Sequence, residues 1–225
     1  MSSIKYIKTS VTISRTVLKE HMLFNEIRIF VKDPFVANIN LDFLTKKINK
    51  TLPRHLSSGV DIIYVGQFPQ LSARNVESAY MDGAIFISNE ILNDEVLYNT
   101  IIHEMAHGVE KTFGDEIYGD QQIIEEFRNK RLQLRQRLEN KELFCDPRLY
   151  LHFDYNKTFD DFLYKTVGYD RLAIISHDIF ISPYSCTSLR EYFASGFEHY
   201  FVDQPDYFKK VCPKLFTKIQ SLTKI

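Results

Sequence analysis

Asn93-Asp94-Glu95-Val96-Leu97-Tyr98-Asn99-Thr100-Ile101-Ile102-His103-Glu104-Met105-Ala106-His107 is the stretch on which the reading of this chain turns. Asn93 or Asp94 suits a helix N-cap, and acidic residues follow in the first turn. Val96, Leu97, Ile101, Ile102, Met105, Ala106 and Val109 recur at helical spacing and make a broad apolar surface. The spacing therefore predicts a largely buried helix interrupted by His103, Glu104 and His107. Two histidines four apart project from one helix face. Their imidazoles can grip one metal ion, and zinc accepts neutral imidazole while keeping a site open for water. Glu104, beside the first ligand, can take a proton from that water. The bland alternative is a pair of structural histidines in a core helix. It must carry the desolvation of three ionisable groups within five positions.

Two imidazoles do not complete a zinc site. A third His six residues beyond the second is absent, because Glu110 and Phe113 stand where that pattern needs Gly and His. A Glu on another helix is the usual alternative. The candidate is Glu191, in a segment from Ser188 to Phe201 with an apolar stripe of Leu189, Tyr192, Phe193, Phe197, Tyr200 and Phe201.

Glu191-Tyr192-Phe193-Ala194, following a distant His-Glu-x-x-His, resembles the catalytic domain of anthrax toxin lethal factor and the related Pro-Pro endopeptidases. The resemblance covers residues 83–201 in patches. It implies that Glu191 is the third zinc ligand. It also implies that Tyr184, seven residues before Glu191, hydrogen-bonds the developing oxyanion. The family has a second Glu four residues after the ligand, supporting the ligands from behind. Ser195 stands there in this chain, which leaves ligand orientation without that partner. The long gap from His107 to Glu191 suggests a helical insertion at about 115–165.

Composition sets the outer bounds. At 225 residues the chain reads as a single domain, 1–225, with 44% hydrophobic and 14% aromatic residues. A net charge of −1 gives no reason to expect nucleic acid or an anionic membrane as partner. No apolar run approaches the roughly 18 residues that cross a bilayer. Met1-Ser2-Ser3-Ile4-Lys5-Tyr6 lacks a signal-peptide apolar region, so a cytoplasmic or viral setting is the expectation. Cys145, Cys186 and Cys212 are unclustered and read as reduced thiols.

Outward from the central helix, residues 4–14 and 22–32 read as β-rich, and Leu41 to Leu52 as a helix. Val60–Val65 and Gly83–Ser88 read as strands. The second precedes the histidine helix and is a candidate sheet edge on which an extended peptide could pair. Residues 120–143 read as a polar helix, with Arg128, Lys130, Arg131, Arg135 and Arg137 on a solvated face and Glu126–Lys130 as an i,i+4 pair. The aromatics of 146–170 are expected to pack the inserted segment onto the core. His177, near Tyr184 in sequence, is a further candidate for the site; His199, about 12 Å along the helix from Glu191, is too far to share the metal.

The expectation is thus an α+β, zincin-like fold, with a small mixed sheet on the zinc-binding helix and C-terminal helices carrying Glu191. The expected function is hydrolysis of a protein or peptide substrate with one Zn2+ per chain. His103, His107 and Glu191 hold the metal, and Glu104 and Tyr184 are the catalytic residues. Two rivals are a scaffold that binds without turnover and a maturation protease acting on one partner. The intact Glu104 argues against the first, since a closed structural site has no use for a base.

Overall fold

The computed structural model describes residues 21–202 and 205–225, so the stretch 4–14 lies outside them. The architecture is mixed α+β. Five strands form one sheet: β1 (His21–Leu23), β2 (Ile27–Val31), β3 (Ile62–Val65), β4 (Ser78–Met81) and β5 (Ala84–Ile87), in the spatial order β1-β2-β3-β5-β4. The centre, β2-β3-β5, is parallel, while β1 and β4 run antiparallel to their neighbours. Alternation decides which face is buried. Ile29, Ile63 and Ile85 lie in register across the three central strands, all turned inward and almost wholly buried. Phe30, Tyr64 and Phe86 make the corresponding row on the other face.

The strand read at 83–88 exists, but it is not a sheet edge. β5 pairs with β3 on one side and with β4 on the other, so its backbone is engaged on both sides. The edge on this side, among the described residues, is β4. Asp82 and Gly83 both have positive φ (48° and 89°) and close the two-residue hairpin between β4 and β5.

Helix α1 (Leu41–Thr51) starts where the Asn40 side chain accepts from the Phe43 N–H at 3.0 Å, and it buries Leu41, Leu44 and Ile48. A short α2 (Pro69–Arg74) follows β3. The long α3 (Asp94–Tyr118) carries the histidines. Asn93 is its N-cap, accepting from the N–H groups of Glu95 and Val96, each at 3.0 Å. Leu97, Ile101, Ile102, Met105, Ala106 and Val109 are buried, as an apolar surface covered on several sides requires. The helix lies against β4 and β5, and the turn before β3 crosses it closely. A Cβ at Gly59 would sit 2.2 Å from the Gly108 carbonyl oxygen, so this approach beside His107 excludes any side chain.

After α3 come α4 (Gln122–Glu139), a short α5 (Lys157–Asp161) that runs into a π-turn at Phe162–Val167, and α6 (Tyr169–Ser176). A 3-10 turn, Tyr184–Cys186, leads into α7 (Leu189–Val202), and α8 (Pro205–Val211) and α9 (Pro213–Leu222) close the chain. Buried apolar residues from Leu23 to Leu222 form one continuous core. No helix among the described residues is long and apolar enough to cross a membrane.

Helix α4 departs from the solvated face expected of its basic residues. Arg128, Arg135 and Arg137 reach the surface, but Lys130 and Arg131 are buried at 7% and 0% exposure. Lys130 donates to the carbonyls of Ile179 and Val211, both at 2.6 Å. Arg131 donates to the carbonyls of Leu149 (3.0 Å), His152 (2.8 Å), Tyr150, Thr187 and Cys186. Its guanidinium also lies over the Phe159 ring. Burial pushes the pKa of Arg131 down to about 10. The expected Glu126–Lys130 pair does not form. Glu126 instead accepts from the Tyr192 hydroxyl and from the N–H groups of Lys214 and Leu215, at the start of α9. Carbonyls in need of donors explain both corrections: Arg131 serves the loops at 147–152 and 184–187, and Lys130 serves Ile179 and Val211, which takes it away from Glu126. Of the aromatics in 146–170, Tyr150 and Phe159 are buried, whereas Tyr155 and Tyr164 are exposed.

Candidate metal centre

One helical turn separates His103 and His107 on α3, and their rings meet nearly edge-on with centroids 5.3 Å apart. α7 packs against this face of α3. The Ser188 hydroxyl accepts from the Glu191 N–H at 3.1 Å, which starts α7 in the manner of an N-cap and fixes the ligand in the first turn. Glu191 Oε2 lies 3.1 Å from His103 Nε2, and Glu191 Oε1 lies 3.8 Å from His107 Nε2. One ligand atom from each of these three residues falls within 4.8 Å of the other two. Donors around a tetrahedral zinc with bonds of about 2.0–2.2 Å stand roughly 3.4 Å apart. The two measured separations bracket that spacing.

The far side of each imidazole is also served. His103 Nδ1 is 3.0 Å from Glu198 Oε2. His107 Nδ1 is 3.9 Å from Glu110 Oε2 and 3.1 Å from Arg190 Nε. A ligating histidine is oriented and made more basic by a carboxylate on its other nitrogen. Glu198, seven residues after Glu191 on the same helix face, supplies that partner for His103, whereas position 195, where the resemblance implies a supporting Glu, holds serine. Ser195 itself is buried, 3.4 Å from the Ser182 hydroxyl. Glu110 is held in turn by the Tyr118 hydroxyl at 2.5 Å and faces Arg190 Nε at 3.3 Å.

Glu104 is 5% exposed, and its Oε1 accepts from the Ser78 hydroxyl of β4 at 2.6 Å. That contact ties the edge strand to the helix and fixes the carboxylate. Ser78 carries no motif in the sequence. Tyr184 is partly exposed, with its ring edge-on to Tyr169. Burial pushes its phenol pKa up, and the negative charges of Glu191, Asp160 and Glu104 push it further. Its turn is fastened by the Thr187 hydroxyl on the Tyr184 carbonyl (2.8 Å) and by Arg131 on the next carbonyls. His177 is not brought to the centre: it stands against Tyr207, and its carbonyl accepts from Arg137. His55, His21 and His152 lie elsewhere, the first bonded to the Leu222 carbonyl and the second to Asp42.

Burial pushes the pKa of His103 down, but hydrogen bonds to Glu191 and Glu198 and the nearby negative charge outweigh it and raise it from 6.5 to about 10. Burial pushes the Glu191 carboxyl up, yet the bond to His103 and the charges of both histidines and Arg190 hold it below its ordinary value. The metal-free cluster is thus an imidazolium between two carboxylates. Because the folded pKa of His103 lies above the unfolded one, its contribution to stability is complete below pH 6.5 and is lost as pH rises towards about 10. The chelated protein should therefore lose stability over that window in denaturant titrations. His103→Gln should flatten the loss. An unchanged slope in that variant would refute the charged His103.

Compared with protein-family models, with curated proteins and with solved structures, the chain matches none.

Proposed function

We propose that this chain is a zinc-dependent endopeptidase with a zincin-like fold. The observation that carries the reading is the convergence of His103, His107 and Glu191, with the Glu198 carboxylate behind His103 and Arg190 Nε donating to the far nitrogen of His107. The donor set, two imidazole nitrogens and one carboxylate, suits zinc and leaves room for a fourth ligand. Zinc, when bound, supplies Lewis acidity to a scissile carbonyl and to water.

The chain's own residues supply the rest. Glu104, fixed by Ser78, takes the proton of the attacking water and delivers it to the leaving amine. Tyr184 keeps its proton across the working pH range, so it is a hydrogen-bond donor and not a base. Its phenol donates to the oxyanion as the carbonyl becomes tetrahedral. Among the described residues β4 is the sheet edge next to Glu104, and an extended peptide adding there as a further strand suits this reading. This replaces the pairing first expected at 83–88.

The test is hydrolysis of a random peptide pool by zinc-loaded protein, read by mass spectrometry against the chelated protein. Internal cleavage that requires the metal supports the proposal; a loaded protein that cleaves nothing overturns it. Tyr184→Phe should lower kcat by on the order of 10²–10³ with KM little changed, since a donor to the oxyanion acts in the transition state. A raised KM at unchanged kcat would make Tyr184 a substrate-binding residue instead.

A further inference from the structure

A cleft of about 480 Å³ lies beside His107. It is lined by Tyr80, Met81 and Asp82, from the end of the edge strand and its turn, by His107, Glu110 and Lys111 of α3, and by Arg190. The cleft therefore joins the end of β4 to a candidate metal ligand.

The charges in this cleft are not presented equally. Glu110 is turned inward, with Oε1 taken by the Tyr118 hydroxyl and Oε2 facing Arg190 Nε. Arg190 spends its Nε on Glu110 and His107, and among the described residues neither of its Nη groups has a partner. Its side chain is 49% exposed. Lys111 faces Asp82 at 3.8 Å, a pair between an exposed ammonium and a fully exposed carboxylate. Such a pair is worth little and gives way readily to a better-held anion. The cleft thus offers a guanidinium fork and an ammonium to whatever enters it, and a fork of this kind matches a carboxylate.

We infer that this cleft is a substrate subsite for a carboxylate, held by the Nη groups of Arg190 and by Lys111. The carboxylate is either an Asp or Glu side chain near the scissile bond or the C-terminus of a short peptide. The inference rests on the peptidase reading above, but binding can be measured without turnover.

The experiment uses zinc-loaded Glu104→Gln protein and fluorescein-labelled hexapeptides, with binding read by anisotropy. Each peptide carries Glu or Gln at one scanned position and has a free or an amidated C-terminus. A charge-assisted contact in an open cleft should make Glu bind about tenfold more tightly than Gln at one position, or a free terminus about tenfold more tightly than an amide. The first result identifies a side chain and the second a terminus. Adding Arg190→Gln should reduce the preference to roughly twofold or less. Lys111→Gln, a surface change that leaves the fold alone, should reduce it about threefold on its own. Equal binding of all four peptide types overturns the inference, and so does a preference that survives both substitutions. If wild-type protein cleaves none of these peptides while the carboxylate preference stands, the peptidase reading fails and the subsite does not.

Discussion

Glu104→Gln should abolish nearly all hydrolysis while leaving the metal in place. The amide is isosteric with the carboxylate and still offers an oxygen to the Ser78 hydroxyl, now 2.6 Å from Glu104 Oε1. It cannot take a proton. Positioned proton transfer contributes about 10²–10⁴ in rate, so kcat should fall by that factor with zinc content and thermal melting unchanged. Glu104 is not among the three grouped donors, and this separates its loss from loss of the metal. Wild-type turnover in Glu104→Gln would remove the general base from the mechanism. Ser78→Ala should cost far less, because it frees the carboxylate to move without removing it.

The second large effect lies away from the chemistry. Arg131→Met should destabilise the protein by about 3–5 kcal/mol, as removal of one partner from a buried charged network does. In a chain of this size that corresponds to a melting temperature lower by roughly 10 °C. The guanidinium donates to five carbonyls in the loops at 147–152 and 184–187, and methionine leaves all of them without a donor. One gain opposes this: the desolvated charge disappears. It does not replace the donor that five carbonyls lose. Arg131→Lys should be nearly as damaging, since one ammonium cannot span the fork. Arg128→Met, three residues earlier on an exposed position, is the control and should fall within about 0.5 kcal/mol of wild type. Equal melting temperatures for Arg131→Met and Arg128→Met would show that Arg131 does not hold these loops.

Local signals and long-range ones were unequally legible in the sequence. Helix α3 could be read because its start is written at Asn93 and its core face repeats at helical spacing. α1, β3 and β5 were legible for similar reasons. β4 was not read, although Asp82-Gly83 between short apolar runs is a strong hairpin signal. Missing it led to the misplaced sheet edge, because which strand lies outermost depends on pairing partners and not on the strand itself. Arg131 was read as solvated because its five acceptors lie 18 to 56 residues further along the chain. Nothing near it in sequence marks it as buried. In the site, His103, His107 and Glu191 are brought together, and Glu104 lies beside them. Glu198 was within reach of the sequence: it follows Glu191 by seven, two turns along one face, while the resemblance implies a supporting Glu at 195. Glu110, three residues after His107 on the same helix, was equally within reach, whereas Ser78 and Arg190 reach Glu104 and His107 only through tertiary packing.

Zinc titration by calorimetry of the wild-type protein and of Glu191→Ala, after removal of metal by chelator, bears most directly on the central claim. The account predicts one tightly bound zinc per chain in the wild type, with protons released as His103 gives up its charge. It predicts that Glu191→Ala weakens binding by at least about a hundredfold, beyond the roughly 10–100-fold that loss of an orienting partner causes. A wild-type protein that takes up no zinc, or a Glu191→Ala variant that binds it as tightly as the wild type, would contradict the account.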